Sequence, residues 1–561
     1  MAWKTGLLLA VVVVPMALAT RWGGNAELKG WRFSPWPDTV EYAAEAQSLA
    51  RSGQVYLQIG PYRVRPRFPP GWPLLLAPAV RSGMAGQELW RITGVLGALL
   101  AWLLGGVAAS ATARLGPPSQ TLTPGPSPDP SPLPHRERGG KTNLARFSPS
   151  SPGEGGREGS GEEGRGDEGS GGRVEGGRGL GWAPLLAGLL AGCLWALAPI
   201  AVDLGQTLMS DEPTALVCLV GLLLTGAAFL RRETRGDWAL ALAGGLAFGL
   251  AATMRSIVAV LMVAPVAAFL LGGLRRKPLL PRLLAWGLGA ALFPAVTMLI
   301  LARSGWPVWQ WSGYGFWMPG RYEHLTNTFG LRYAFQPDLT FRQEVDGRPL
   351  SHLELGLRVL LGIPGLRTHH YLGYLWPIAG WLAAIPLYKI ARRRDPQAAG
   401  WTALGLLLWT LGHLAVFSLY FYPSSRFYLA PVALCLVLFA TACGVALARP
   451  DLRVRLAGGA AALLVALLTV QGLLALQREP PPPAETERTR ARFSKWLAKG
   501  DEWRSRRTMP FDPVHAQALG LLTPEVAAQV HAWGSLPDTV HVRRLRANGY
   551  LAAQTLESPG R

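Results

Sequence analysis

Long apolar runs separated by short polar or basic stretches dominate the pattern along the chain. A run of about 20 apolar residues is long enough to cross a bilayer as a helix, and the chain contains about eleven such runs. They lie at residues 3–20, 91–113, 182–202, 213–230, 238–253, 256–273, 283–302, 371–390, 401–420, 427–447 and 456–476. Arg255 interrupts an apolar stretch that is too long for one span, which therefore predicts two helices joined by a tight turn.

Composition supports a membrane protein. An ordinary soluble domain has about 25% charged residues, whereas this chain of 561 residues is 16% charged and 49% hydrophobic. The sequence therefore predicts an all-α polytopic membrane protein and excludes a single soluble core. The four cysteines lie apart within apolar runs, and the histidines are scattered, so the sequence predicts no metal site built from them.

The net charge of +20 does not indicate nucleic acid binding. The basic residues cluster at the ends of apolar runs instead of forming one groove with interleaved aromatic residues. Basic clusters of this kind mark the cytoplasmic ends of membrane spans. If the chain starts inside at Lys4, the clusters at 231–232, 275–277, 392–394 and 449–455 all fall on the cytoplasmic side. The first run also has features of a signal peptide, but we expect a retained anchor.

Residues 116–180 differ from the rest of the chain because they are rich in Pro, Ser, Gly and alternating charge. Such a segment cannot bury enough apolar surface to offset the entropy of ordering it. We expect a disordered cytoplasmic insertion there. The remaining parts are the first spans with an outer loop, the transmembrane core and a small outer appendage, at residues 1–115, 181–476 and 477–561.

Two predicted outer loops, residues 21–90 and 303–370, are each about 70 residues long, far more than a helix connection requires. Loops of this length usually carry function and here are expected to contain short interfacial helices. In the first loop, Asp38 precedes a helical pattern and is placed to cap it, with Glu41 one turn later. The same loop ends in RVRPRFPPGWP, which places Arg67 near the headgroups.

Three other predicted outer turns also carry charged residues. Asp211 and Glu212 lie in DLGQTLMSDE, Arg255 lies at the tip between two spans, and Arg426 lies in YFYPSSR. Each has an ordinary structural explanation. Acidic residues often cap helices, and arginine often extends from a span to the interface.

Together these motifs resemble the membrane glycosyltransferases with the GT-C fold. The resemblance rests on Asp38, on Glu41–Tyr42 and on Pro69–Pro73 in the first outer loop, followed by LMSDEP and SRFYLAP in later turns. These glycosyltransferases include the protein O-mannosyltransferases and the lipid A aminoarabinose transferases, and the chain resembles in particular their bacterial relatives of glycosyltransferase family 39. Many of these proteins have a second acidic residue directly after the first, where this chain has Thr39.

The resemblance implies a sugar donor attached to polyprenyl phosphate, bound at the outer face of a bacterial cell membrane. Phosphate is already a good leaving group, so one base and a set of cations would suffice. Asp38 is then expected to be the base. Arg67, Arg255 and Arg426 would bind the phosphate, and Glu41, Asp211 and Glu212 would support the site.

The resemblance fixes no cofactor, since some relatives act without metal, and a divalent ion at the acidic residues stays an alternative. The function implied is an inverting glycosyltransferase whose acceptor is a lipid, a glycan or a protein. The alternatives are a transporter, which would have ionisable residues within its spans, and a polysaccharide or glycan ligase.

Overall fold

A computed structural model describes most of the predicted membrane core. It describes residues 2–23, 38–59, 62–64, 66, 68–84, 88–116, 182–230, 236–274, 279–308, 311, 342–345, 348–362, 375–419 and 424–478. The predicted insertion at 116–180, beyond Gly116, and the appendage at 477–561, beyond Arg478, lie outside the described residues. What the sequence predicts for them stays a prediction.

The described chain is almost entirely helical. Its helices are α1 (Ala2–Trp22), α2 (Asp38–Ser52), α3 (Gly71–Arg81), α4 (Trp90–Leu115), α5 (Ala183–Leu197), α6 (Pro199–Gly205), α7 (Asp211–Leu230), α8 (Asp237–Met254), α9 (Ser256–Gly273), α10 (Leu279–Arg303), α11 (His352–Leu361), α12 (Trp376–Arg394), α13 (Pro396–Ser418), α14 (Leu429–Leu447) and α15 (Leu452–Arg478). A 3-10 turn at Ser425–Tyr428 leads into α14.

Two short antiparallel hairpins lie in the predicted outer loops. Strands β1 (Leu57–Ile59) and β2 (Tyr62–Val64) pair between α2 and α3. Strands β3 (Arg342–Val345) and β4 (Arg348–Ser351) pair directly before α11. Both long loops therefore contain short helical structure, as predicted, together with a hairpin that was not predicted.

Within the described residues, nine helices are long and apolar enough to cross a membrane, or ten if the bent pair α5 and α6 counts as one span. The predicted all-α polytopic class is thus confirmed. The described part of the segment predicted at 371–390 is helical from Trp376, as α12, but this helix ends in Arg392, Arg393 and Arg394 and is not among the candidate spans.

The apolar run at 182–202 was predicted as one span, and the structure shows a bend of 58° within it. Ala198, at the break, has an extended backbone with φ −61° and ψ 120°. The cause is Pro199, because proline disfavours a helical conformation in the residue before it. The bend turns α6 towards the C-terminal end of α1.

The predicted interruption at Arg255 is confirmed. Helix α8 ends at Met254 and α9 begins at Ser256, while Arg255 between them is extended with φ −145° and ψ 109°. Helix α8 packs closely against α10, since a Cβ added at Gly249 would lie 2.6 Å from the carbonyl oxygen of Ala290. Small residues commonly allow such close approach between membrane helices.

Helix α14 lies at the centre of the fold, with 83% of its most apolar window buried. It packs against α4, α5 and α12. At the ends predicted to be cytoplasmic, Arg282 of α10 binds Asp237 of α8 at 3.1 Å, and Arg394 of α12 donates to the carbonyl oxygen of Gly116. The candidate site lies at the opposite ends of the helices.

Candidate active site

Helix α2 of the first outer loop is held firmly against the core. Its residues Tyr42, Ala43 and Ala46 are buried, and it packs along α3. Beyond its C-terminal end, the indole nitrogen of Trp306 donates to the carbonyl oxygen of Val55 at 2.7 Å. These contacts fix the direction of the helix, whose first residue is Asp38.

Helix α3 brings the Pro-Pro-Gly-Trp turn of the same loop against two other turns. Trp72 is fully buried, and its indole nitrogen donates to the carbonyl oxygen of Leu208 at 3.4 Å. A Cβ at Gly71 would overlap the backbone of Thr253 and Met254. The absence of a side chain at position 71 therefore lets the first loop meet the LMSDEP turn and the Arg255 turn.

A chain of hydrogen bonds joins α2 to Arg255. The hydroxyl groups of Tyr42 and Ser210 are 3.1 Å apart, and Nε of Arg255 donates to Oγ of Ser210 at 3.2 Å. Tyr42 lies one helical turn after Asp38. The helix that carries the predicted base is thus connected to a predicted phosphate ligand through two hydroxyl groups.

Arg255, Arg426 and Asp211 form a compact group, named here the arginine cluster. Nη1 of Arg255 lies 2.8 Å from Oδ1 of Asp211, and Nε of Arg426 lies 3.9 Å from the same oxygen. The Asp211 side chain is fully buried, whereas both arginine side chains are 16% exposed. Two cations therefore share one carboxylate and keep part of their surface open to a ligand.

The ring of Phe427 lies beside both guanidinium groups. The Cζ atoms of Arg255 and Arg426 are 5.2 Å and 5.4 Å from its centroid, within the range of cation–π attraction. On another side the ring stacks on Phe417, with centroids 4.7 Å apart and planes 15° apart. Phe427 is fixed by this stacking and in turn fixes the separation of the two arginines.

The cluster stands where three helices begin. Asp211 is the first residue of α7, Arg255 is the N-cap of α9, and Arg426 lies in the turn that leads into α14. A helix N-terminus carries a partial positive charge and directs N–H groups outward, which favours anions. The helix ends and the two guanidinium groups therefore both favour binding of an anion at this place.

Glu212 faces a different part of the molecule from its neighbour Asp211. Its Oε1 accepts from Nη2 of Arg21 at 2.7 Å and from the indole nitrogen of Trp195 at 3.2 Å, and both charged side chains are fully buried. Gly97 and Gly205 pack directly against Arg21, where a Cβ would lie 2.6 Å from Nε and 2.7 Å from Cδ. Glu212 thus ties α7 to α1 and α5.

The remaining predicted site residues lie in the first outer loop. The side chain of Asp38 and all of Arg67 fall outside the described residues, although the backbone of Asp38 begins α2. Glu41 is 1% exposed on α2, and Glu45, one turn further, is fully buried. The structure therefore brings together Arg255, Arg426 and Asp211, and it places Glu41 on helix α2, which is connected to Arg255 through Tyr42 and Ser210.

Several participants were not predicted as site residues. Ser210 and Phe427 lie inside the motifs quoted from the sequence, but only the charged neighbours drew attention. Arg21 follows the first apolar run and has the pattern of an ordinary flanking cation. In the described part of the chain, no group of three or more His, Cys, Asp or Glu side chains could hold a metal ion.

Comparisons with known proteins return only structural similarity. No family model matches the sequence, and no curated protein is similar to it. One similar solved structure is ArnT from Cupriavidus metallidurans bound to undecaprenyl phosphate, with 15% identity and a TM-score of 0.46, over 97% of this chain and 77% of that one. Another is the archaeal oligosaccharyltransferase AglB from Archaeoglobus fulgidus in complex with an inhibitory peptide and a dolichol-phosphate, with 12% identity and a TM-score of 0.49, over 99% and 61%.

Proposed function

We propose that this protein is an inverting membrane glycosyltransferase, which moves a sugar from a polyprenyl phosphate donor to a hydroxyl group of an acceptor. The observation that carries the proposal is the arginine cluster at the start of three helices. Ser210 and Tyr42 connect the cluster to helix α2, whose first residue is Asp38. One arrangement thus supplies a candidate base and a candidate anion site.

The chemistry assigns a role to each part. Asp38 takes the proton of the acceptor hydroxyl, whose oxygen attacks the anomeric carbon from the face opposite the phosphate. The bond between that carbon and the phosphate oxygen breaks, and both electrons stay with the phosphate. Arg255 and Arg426 bind the departing oxygen atoms, because a guanidinium group pairs bidentately with phosphate and stays charged at neutral pH.

The position of the cluster at the ends of membrane spans suits a lipid-linked donor. Its apolar tail requires hydrocarbon, whereas its headgroup requires cations and access to water. The basic clusters at the other ends of the spans favour an outward-facing site in a bacterial cell membrane. Whether the acceptor is a lipid, a glycan or a protein is left open by this chemistry.

The distribution of charge favours an enzyme over a transporter. Transport sites usually place ionisable residues near the midplane of broken spans. In the described spans, the buried ion pairs Arg21–Glu212 and Arg282–Asp237 lie in the first or last turns of their helices. A glycan ligase stays the alternative, and it would need a finished glycan as donor.

A direct assay tests the proposal. Purified protein would be incubated with a panel of polyprenyl phosphate monosaccharides and acceptors, and products would be identified by mass spectrometry. We expect transfer of one sugar with inversion. Transfer of preassembled glycans alone would favour the ligase, and the absence of any transfer across the panel would contradict the proposal.

Substitution of the two arginines tests their role within that assay. Charge-assisted hydrogen bonds contribute about 1.5–3 kcal/mol, so Arg255→Gln and Arg426→Gln should each lower kcat/KM for the donor by about 10–100-fold. Arg303→Gln is the matched control, because Arg303 is exposed at the end of α10 on the same side of the molecule. It should leave kcat/KM unchanged.

A further inference from the structure

The balance of charge in the arginine cluster bears on how the product leaves. Arg255 and Arg426 contribute two positive charges and Asp211 one negative charge, so the three side chains together carry one positive charge. The charge of the adjacent Glu212 is matched separately by Arg21 at 2.7 Å. Asp211 is therefore a carboxylate in contact with both arginines, and it reduces the positive charge that they present to a bound phosphate.

The proposed reaction changes the charge of the phosphate group. The donor is a phosphodiester with one negative charge. When the anomeric bond breaks, the phosphate keeps the bonding electrons and becomes a monoester, which carries between about 1.5 and 2 negative charges at neutral pH. The acceptor proton goes to Asp38, so charge and atoms balance. Without a nearby negative charge, the two arginines would bind the lipid phosphate product much more tightly than the donor.

We propose that Asp211 limits the affinity of the cluster for the leaving lipid phosphate and so permits its release. This inference rests on the proposed function, since it requires a phosphodiester donor. Asp211 is suited to the task because its side chain is fully buried and its Oδ1 lies 2.8 Å from Arg255. Its charge is thus held at a constant distance from the phosphate site. Asp211 acts through the arginines as a positioning residue.

The role has a quantitative consequence for binding. Coulomb energy is proportional to the charge of the ligand, so removal of the Asp211 charge should strengthen binding of a dianion about twice as much, in free energy, as binding of a monoanion. If the affinity for a phosphodiester rises about tenfold, the affinity for a monoester should rise by about the square of that factor, up to 100-fold.

The test compares two lipids with one difference in charge. Undecaprenyl phosphate and its methyl ester, a diester with the same tail, would be titrated against purified protein in nanodiscs of uncharged lipid. Asp211→Asn removes the charge with little change of shape. Asp211→Glu keeps the charge, and Asp451→Asn makes the same change at an exposed residue at the start of α15.

We expect wild-type protein to prefer the monoester about tenfold, and Asp211→Asn to increase that preference by at least a further factor of about five. Equal binding of the two lipids by wild-type protein overturns the inference, whatever the variants do. Weaker monoester binding in Asp211→Asn also overturns it and assigns Asp211 a purely structural role. Wild-type protein that binds neither lipid contradicts the proposed function instead.

Kinetics supply a second readout that a merely structural role would not produce. If product release becomes slower in Asp211→Asn, kcat should fall and KM for the donor should fall by more, so that kcat/KM rises, and a burst of product should precede the steady state. Asp211→Glu should show no burst. A variant with lower kcat, higher KM and no burst would contradict the inference.

Discussion

At the scale of single residues, Asp38 is the most direct test of the proposed chemistry. Asparagine begins a helix about as well as aspartate, so Asp38→Asn should preserve expression and donor binding. It should lower turnover by about 100-fold or more, because general base catalysis contributes on that scale. Turnover would be measured with saturating donor and acceptor.

The control for this change is Asp451→Asn, since Asp451 lies directly before α15 and accepts from the backbone nitrogen of Arg453 at 2.8 Å. It should leave turnover unchanged. Near wild-type turnover in Asp38→Asn would reduce Asp38 to a helix cap and direct attention to Glu41 and Asp211.

Phe427 is expected to hold the two arginines at the separation that one phosphate requires. Phe427→Leu loses the cation–π contacts with both, each worth about 0.5–2 kcal/mol, so the donor KM should rise by about tenfold or more. Phe427→Tyr keeps the ring and should restore the wild-type KM. The matched control is Phe248→Leu, because Phe248 pairs with Trp286 at 5.2 Å away from the cluster. A leucine variant with unchanged KM would refute this role.

Sequence reasoning could identify Arg255 and Arg426 because an arginine between two apolar runs stands out in a chain with little charge. It could not identify Ser210 and Phe427 as their structural partners, or Arg21 as the partner of Glu212. Arg21 and Glu212 are separated by 191 positions, and no local pattern encodes that pairing. Polar residues in membrane proteins are recognisable from sequence, but their partners depend on how the helices pack.

At the scale of helices, the buried Arg21–Glu212 pair links α1 to the first turn of α7. Ser210, which accepts from Arg255, lies directly before that turn. Removal of one member leaves the other charged and buried, which typically costs about 3–5 kcal/mol. Glu212→Leu alone should therefore lower the thermal unfolding temperature markedly in detergent.

The double variant Arg21→Met with Glu212→Leu should recover most of that stability, because apolar residues often replace a buried ion pair without loss. Thermal unfolding of the single and double variants gives the coupling between the two residues. A double variant as unstable as Glu212→Leu would show that the pair is not an isolated unit.

The sequence indicated most helices but not how their ends meet. Apolar length alone predicts spans, and Arg255 marked the break between α8 and α9. The bend at Pro199 was visible only as a proline inside an apolar run. The two hairpins do have turn residues between their strands, Gly60–Pro61 and Asp346–Gly347, but their flanking runs are too short and too polar to stand out as strands. The convergence of α2, α7, α9 and α14 depends on packing between distant segments, such as Gly71 against the end of α8.

For the whole molecule, the proposed function requires that the arginine cluster face the outside of the cell. Ser82 is exposed at the end of α3, on the side of the cluster, whereas Arg453 is exposed near the start of α15, among the basic residues predicted to be cytoplasmic. The four native cysteines are at least partly buried within spans, so each would be replaced before single cysteines are introduced.

In intact cells, a membrane-impermeant maleimide should label Ser82→Cys and should label Arg453→Cys only after the membrane is opened. Because both positions are exposed, the comparison reports sidedness and not burial. Protection of Ser82→Cys with labelling of Arg453→Cys would place the cluster on the cytoplasmic side and exclude the proposed outward-facing reaction.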